Sequence, residues 1–525
     1  MTPPAAIPAP RHCRWLDVFF VGLWTLFIFA GFGFKATARG RGWPPPGNFV
    51  LAENRLPNPF PDLRRTPAKE WGRDLEAWYN DHFAWRPELI RFYRFLHFHW
   101  LKTAVNEQVP GVDDWIFRKQ GNWSELDDYL GGFELTPQQA LDWVDFFEGR
   151  TAWAEAHGVV YLQVVTSVKA QVMPEKIPAV LRHHRGVSVR EQVEAALHGS
   201  FAEQHVLFTH QTLVDAAQTR AVFYQEDHHP NAYGTYLIFR AITERLGEWL
   251  PDMEPMRFYD DPPPAVRAGR EAGCYEEARR LKVVVPGLQA VQDPLVRRSP
   301  GGRFPLASIA TEEPAPHRTL VMGNDSYMRF PLASWHKKPQ PVPMPLALDF
   351  SHLVSLIFQR FQPVELDYIV SQSPPAALIE QFPEMRLQGH VEGLDATMQT
   401  AARFGRGTVR TVWTPADGGL PPAPVAEPFT VLATLDRVTA GSDETAVPHM
   451  GGTTPPLPIE LLAGGKTVAT AQVYPGVLRA VFFAAQALPE PANLEVRVRN
   501  GQATLKRIEI RTGGERPSLA CLNKN

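Results

Sequence analysis

Apolar residues recur along this chain in two different periods, and the change from one to the other near residue 425 divides it. In the first regime helical and strand-like stretches alternate. Thr136, Pro137 and Gln139 supply an N-cap, a first-turn proline and a capping box, which predicts a helix running toward Gly158. Val159 to Val165 is a nearly continuous apolar run with β-branched members, the pattern of a buried strand. Ser188 with Glu191 makes a second capping box, closed near Gly199. Val206-Leu207-Phe208 reads as a further strand, and Asn231 as the cap of a helix over about 232–250. Leu320-Val321-Met322 and Leu366 to Val370 read as strands, separated by a helix starting near Ser351. Strand alternating with helix predicts an α/β sheet with helices on both faces.

Beyond residue 425 short strand-like runs follow one another without helices: Phe429 to Leu435, Ile459 to Leu462, Lys466 to Val473, Leu478 to Phe483, Leu494 to Arg499 and Thr504 to Ile510. Gly464-Gly465 between two of them is a two-residue hairpin signal. The expectation is an all-β sandwich over 425–525, with carbohydrate binding and a structural role both open. At the other end, Val18 to Phe34 is an uncharged apolar run flanked by Arg11, Arg14 and Lys35. With Trp15 and Leu16 it approaches the roughly 20 residues that cross a bilayer, and predicts an N-terminal transmembrane helix. Ala36-Thr37-Ala38 leaves cleavage as a second reading. Residues 1–41 are therefore expected to be a cytoplasmic tail and anchor, and 42–65 a Pro-rich stalk. Residues 66–424 would form the α/β domain, entered through an aromatic-rich helical stretch over 66–105 whose rings are read as core packing.

Composition changes this picture little. A length of 525 residues allows two or three domains, and a formal net charge of −3 gives no field that would favour nucleic acid. Fifty prolines point to rigid, extended connections such as Asp261-Pro262-Pro263-Pro264. The three cysteines, Cys13, Cys274 and Cys521, form no CxxC pair and so no ordinary zinc site. Cys274 and Cys521 are read either as a disulfide or as two free thiols.

Two segments carry candidate chemistry. In Tyr224-Gln225-Glu226-Asp227-His228-His229-Pro230-Asn231, residues two apart share a side if the segment is extended, so Asp227 can orient the His229 ring. Imidazole titrates near neutrality and suits the acceptance and return of a proton. Asp227-His228-His229 also has the residue types of a metal site, but no matching acidic cluster accompanies it. In Gly323-Asn324-Asp325-Ser326-Tyr327 a serine sits at a turn directly after a strand, where backbone N–H groups can converge on an oxyanion. Serine needs a base, and His229 is the candidate. The expected catalytic set is Ser326, His229 and Asp227, with no cofactor and no metal.

The order of short motifs adds a resemblance. Glu53-Asn54-Arg55 is followed by Tyr79-Asn80-Asp81-His82-Phe83-Ala84-Trp85-Arg86, then Gly111-Val112-Asp113-Asp114-Trp115-Ile116-Phe117. Lys169 with Pro174-Glu175 and Pro178 comes next, then Asp227-His228-His229 with Gly234, and last Leu320 to Tyr327. This series, over about residues 53–380, resembles the alginate O-acetyltransferase AlgX/AlgJ-like family, also described as SGNH-hydrolase-like or DHHW proteins. Pro230 stands where that family has Trp, and the serine turn carries one residue more. The resemblance implies an SGNH-hydrolase-like sheet with flanking helices. It also implies acetyl transfer to exopolysaccharide hydroxyls, with Asp227 as orienter, His229 as base and Ser326 as the acylated residue. A polysaccharide substrate, a multi-spanning membrane acyltransferase as acetyl supplier and an inner-membrane, periplasm-facing location are implied with it. An acetylesterase and a catalytically inactive glycan-binding or assembly protein remain the alternatives.

Overall fold

The computed structural model describes residues 58–62, 67–83, 107–119, 124–225, 227–253, 317–325, 350–357, 375–389, 394–417, 428–440, 457–473, 480–486, 492–499 and 501–516, together with shorter pieces that include 18–26, 95–101, 289–290, 307–310 and 327–328. The chain forms two compact units, Met1–Asn106 and Glu107–Asn525.

In the first unit residues 18–26 are helical and expose Val18, Phe19, Phe20, Val21, Leu23, Trp24 and Leu26. The rest of the expected span lies outside the described residues, and among these no helix is long and apolar enough to cross a membrane. Helix Trp71–His82 follows. Its buried Asp81 accepts from the backbone N–H of Asn58 at 2.9 Å and from the Asn58 amide at 2.8 Å, which ties the Asn-Asp-His-Phe motif to the chain before it. Among the described residues of this stretch Phe92, Phe95 and Trp100 are exposed, against the core packing expected of them.

The second unit opens on a small antiparallel pair, β1 (Gln108–Pro110) and β2 (Ile116–Arg118). Its main sheet comprises β3 (Val160–Thr166), β4 (Val206–Phe208), β5 (Gln289–Ala290), β6 (Ala307–Ala310), β7 (His317–Asn324), β8 (Phe350–Ile357) and β9 (Ala377–Pro383). The spatial order is β4-β3-β9-β7-β8-β6-β5. The five strands from β4 to β8 in that order run parallel, while β6 and β5 add antiparallel at one edge. Along β3, Leu162 and Val164 enter one apolar cluster and Tyr161 and Val165 two others, so both faces are covered. That is why the strand reads as continuous rather than alternating in sequence.

One face is covered by helix Ala232–Gly247, the other by helix Pro137–His157. The latter begins on the Thr136 capping box and stops at Gly158 in the left-handed conformation. Ser188 and Glu191 likewise form their capping box.

One expectation is corrected here, and one strand was not anticipated. The helix expected from Ser351 is instead strand β8, because that segment pairs along its whole length with β7. The strand between β3 and β7 is β9, which the apolar pattern did not single out because Glu380 and Gln381 interrupt it. Leu366 to Val370, Cys13, Cys274 and Cys521 lie outside the described residues.

After helix Ala396–Arg406 come β10 (Thr408–Trp413), β11 (Phe429–Ala440), β12 (Leu457–Ala463), β13 (Lys466–Val473), β14 (Ala480–Gln486), β15 (Leu494–Val498) and β16 (Gly501–Thr512). They form two antiparallel sheets, β10-β16-β11-β14 and β13-β12-β15. Phe429, Val431, Ile508 and Ile510 of the first and Ile459, Leu461 and Leu494 of the second share one apolar cluster. Gly464 and Gly465, with φ of +56° and +78°, make the β12–β13 turn, a backbone that other L-residues rarely adopt.

Candidate active site

The loop between helix His210–Ala217 and helix Ala232–Gly247 carries the acid–base candidates. Its two limbs are closed by a bridge between Phe223 and Pro230, by Tyr224 N–H donating to the His229 carbonyl (3.2 Å), and by Asn231 N–H donating to the Val222 carbonyl (3.0 Å). Asn231 secures both loop and helix. Its amide donates to the carbonyls of Ala221 and Phe223, and its Oδ1 accepts from Gly234 N–H. Gly234 lies so close to the incoming limb that a Cβ there would stand 2.1 Å from the Val222 carbonyl oxygen. A glycine at position 234 is thus a packing requirement of this loop-to-helix junction.

Within the loop, Asp227 Oδ1 accepts from the backbone N–H of His229 (2.9 Å) and from its ring Nδ1 (2.5 Å). A carboxylate only accepts, so the proton of the neutral ring is on Nδ1 and the lone pair on Nε2. That Nε2 is buried and has no hydrogen-bond partner among the described residues. Desolvation acts to raise the Asp227 pKa. The hydrogen bond and positive charge of the His229 ring outweigh it and hold the carboxyl well below the usual carboxylate range.

His228 stacks at a tilt on His229, with ring centroids 3.9 Å apart. Its Nε2 lies 3.2 Å from the Arg118 guanidinium, and its Nδ1 lies 3.4 Å from Asp227 Oδ1. Arginine can only donate, so His228 Nε2 accepts and its N–H faces Asp227. Desolvation and then the neighbouring His229 charge push the His228 pKa down to about 3, which keeps it neutral.

Asp227, His228 and His229 offer ligand atoms within 4.8 Å of one another, and so have the donor types of a metal site. Much of this donor capacity is already committed: Asp227 Oδ1 serves His229, and Arg118 occupies His228 Nε2. His229 Nε2 is the imidazole nitrogen left open.

The second segment begins at the carboxyl end of β7. Asp325 N–H donates to Gln381 Oε1 on β9 (2.9 Å), and the Gln381 amide donates to Thr166 Oγ1 at the end of β3 (2.9 Å). Three adjacent strand ends are thereby cross-linked beneath the turn. Buried Asp325 accepts from Tyr327 N–H at 2.8 Å, bridging across one residue. Burial raises its pKa. The Tyr327 ring lies 5.4 Å from that of His229 and 6.0 Å from that of His228. With His228 it gives the His229 imidazole the ring contacts that Pro230, turned into its bridge with Phe223, does not. Ser326 itself lies outside the described residues. Its neighbours Asp325 and Tyr327 are described, and the Tyr327 ring lies against the His229 ring. Both segments gather beyond the carboxyl ends of parallel strands, where open α/β sheets bind ligands.

Beneath the site is a set of buried polar groups whose roles sequence reasoning did not identify. Glu125 accepts from the N–H groups of Arg118 (2.5 Å) and Ala170 (3.2 Å). Glu384 accepts from Ser167 Oγ and Val168 N–H, both at 3.0 Å, and faces Arg190 Nε at 3.2 Å. Desolvation raises both carboxyls, and the Asp128 charge adds to the rise at Glu384. Arg118 and Glu125 lie just beyond the Gly-x-Asp-x-Trp-x-Phe motif, and Gln381 is on the strand the apolar pattern passed over. The signal that could have found them is charged or amide side chains embedded in apolar, strand-like surroundings.

No family model and no curated protein matches this sequence. Solved structures do align. The O-acetyltransferase domain of Pseudomonas putida AlgJ is 18% identical, with 57% of this chain and 98% of that one covered and a TM-score of 0.33. Pseudomonas aeruginosa AlgX is 11% identical, with 79% and 96% covered and a TM-score of 0.32. A DHHW family protein from Eubacterium siraeum is 12% identical, with 56% and 96% covered and a TM-score of 0.34. Alignments at this level transfer no residue roles. The group that the ordered motifs resemble, AlgX/AlgJ-like and DHHW proteins, is nonetheless represented among the structures with which this chain aligns.

Proposed function

We propose that this chain is a membrane-anchored, extracytoplasmic O-acetyltransferase that acetylates exopolysaccharide hydroxyls through an acyl-Ser326 intermediate. The observation that carries the reading is the Asp227–His229 pair: Asp227 fixes the proton on Nδ1, leaving a basic Nε2 without a partner among the described residues. Support also comes from the motif order and from the contact of Tyr327, one residue beyond Ser326, with the His229 ring.

In the first half-reaction Ser326 Oγ attacks the carbonyl carbon of an acetyl donor while His229 Nε2 takes the hydroxyl proton. The tetrahedral intermediate collapses, the donor leaves with that proton, and acetyl-Ser326 remains. In the second, His229 takes the proton of a sugar hydroxyl as its oxygen attacks the acetyl carbon. Ser326 leaves and recovers the proton, so the enzyme is restored. Asp227 stabilises the imidazolium in both halves without itself being protonated.

Under this reading residues 18–34 anchor the chain in the inner membrane and residues 66–424 work in the periplasm. A multi-spanning acyltransferase supplies acetyl groups, and the strands of 425–525 form a sandwich that presents the polysaccharide. The test is made on the full chain in detergent with a chromogenic acetyl ester. The wild type should release acetate and carry an acetyl group on Ser326, found by peptide mass. Ser326→Ala should do neither. Equal behaviour of the two would end the catalytic reading. Adding an acetylatable oligosaccharide then separates transfer, seen as acetylated sugar, from hydrolysis, seen as acetate alone.

A further inference from the structure

Lys169 opens the short helix that follows β3 and its side chain is fully buried, yet the acyl-transfer steps leave it unused. An ammonium has three protons to donate. Here its Nζ meets three carbonyl oxygens, those of Asp227 at 2.8 Å, Tyr224 at 3.2 Å and Gln225 at 3.3 Å. All three belong to the loop that carries the acid–base pair. Carbonyl oxygens gathered on one buried point repel one another unless a cation stands there, so this backbone arrangement depends on the charge.

The surroundings hold that charge in place. The ammonium lies 5.6 Å from the Trp115 ring centroid and 5.3 Å from that of Phe117. Burial lowers the Lys169 pKa, and the charges of buried Glu125 and of Asp227 act against that shift; Glu125 is itself fixed by the N–H groups of Arg118 and Ala170. Gly111, whose Cβ would meet the Lys176 carbonyl at 2.3 Å and the Phe117 ring at 2.6 Å, lets the strand pair β1–β2 approach closely enough to form this floor. Ile116 N–H donates to the Gln225 carbonyl at 3.0 Å, and so ties β2 directly to the same loop.

We infer that Lys169 is a positioning residue: its ammonium sets the backbone of residues 224–227 and thereby the orientation in which Asp227 holds the His229 ring. The inference rests on the acyl-transfer reading above. It also gives the Gly-x-Asp-x-Trp-x-Phe and Lys-containing motifs a shared task, as the floor and the clamp of one loop.

The test uses the full chain in detergent with the same acetyl ester. Lys169→Met, close in length but without donors, should lower kcat by about 100-fold with KM unchanged, the size of effect expected when a catalytic group is displaced by about 1 Å. Adding ethylammonium to Lys169→Ala should restore part of the lost kcat in a saturable manner, whereas ethanol or added sodium chloride should not. Amide exchange of the peptide 222–231 should quicken in both variants. If either variant fails to fold, Lys169→Gln, which keeps an N–H donor and lacks the charge, is measured in its place.

Undiminished kcat in a folded variant would overturn the inference, as would a folded Lys169→Ala that ethylammonium leaves unchanged. Should the wild type show no acyl turnover, the acyl-transfer reading falls. The exchange rate of 222–231 then decides for Lys169 by itself, and an unaltered rate would sink the clamp.

Discussion

At the residue scale the site is a matter of which atoms are already spoken for. Asp227 fixes the His229 tautomer, so its loss should be felt in chemistry more than in substrate capture. Asp227→Asn is expected to lower kcat by roughly 10³–10⁴-fold, since an amide can donate to Nδ1 and favour the wrong tautomer. Steady-state kinetics with the acetyl ester check this. The same carboxylate gives a signed pH effect. Its folded pKa lies below the ordinary value of 3.8, so its contribution to stability is complete above that value and is lost as the pH falls through the lowered one. Urea midpoints of the wild type and Asp227→Asn should therefore differ at about pH 4–5 and converge as the pH falls further. A difference that persists unchanged at the acid end would contradict this. The side chain is 55% exposed, so solvent screening keeps the contribution small.

At the scale of elements, the site depends on how closely helices and strand ends approach. The junction of helix Ala232–Gly247 with the limb at Val222 has no room for a methyl group at Gly234. Gly234→Ala should cost about 1–3 kcal/mol of stability through overpacking and lower kcat as the loop end shifts. Denaturant titration and kinetics on one preparation measure both. Glu384, at the end of β9, joins the turn after β3 to Arg190 on helix Val189–Leu197. Removing it leaves a guanidinium that is 4% exposed without this partner. Glu384→Ala is expected to destabilise by about 1–3 kcal/mol, because the buried Ser167 hydroxyl, Val168 N–H and Arg190 lose an acceptor, and this is read from the urea midpoint. A loss below about 1 kcal/mol, the range of surface pairs, would show that Arg190 is adequately served by Glu194 and Glu191.

At the scale of the whole molecule the chain forms two compact units. The described residues of the candidate site lie within Glu107–Asn525, while the exposed apolar helical residues 18–26 belong to Met1–Asn106. The anchoring proposal makes a simple forecast. The full chain should sediment with membranes and resist alkaline carbonate extraction, and a chain beginning at residue 42 should be released. If both fractionate alike, residues 18–34 do not anchor the protein.

The sequence by itself determined the elements whose signals are local. The Thr136, Ser188 and Asn231 caps, the Gly464-Gly465 turn and the apolar run of β3 each act within a few residues, so each could be read without a fold. It also brought forward Asp227 and His229, since a two-residue spacing lets one side chain reach the other across a short loop. What only the tertiary structure decided involves partners far apart in the chain. Phe350–Ile357 is a strand because β7 pairs with it, and β9 is central because β3 and β7 accept it despite Glu380 and Gln381. Both polar side chains are buried because distant groups meet them, Tyr161 at Glu380 and Thr166 at Gln381. Lys169 belongs to the same class. A lysine in sequence reads as a solvated charge, and only the convergence of three carbonyls 55 to 58 residues away makes it a buried clamp.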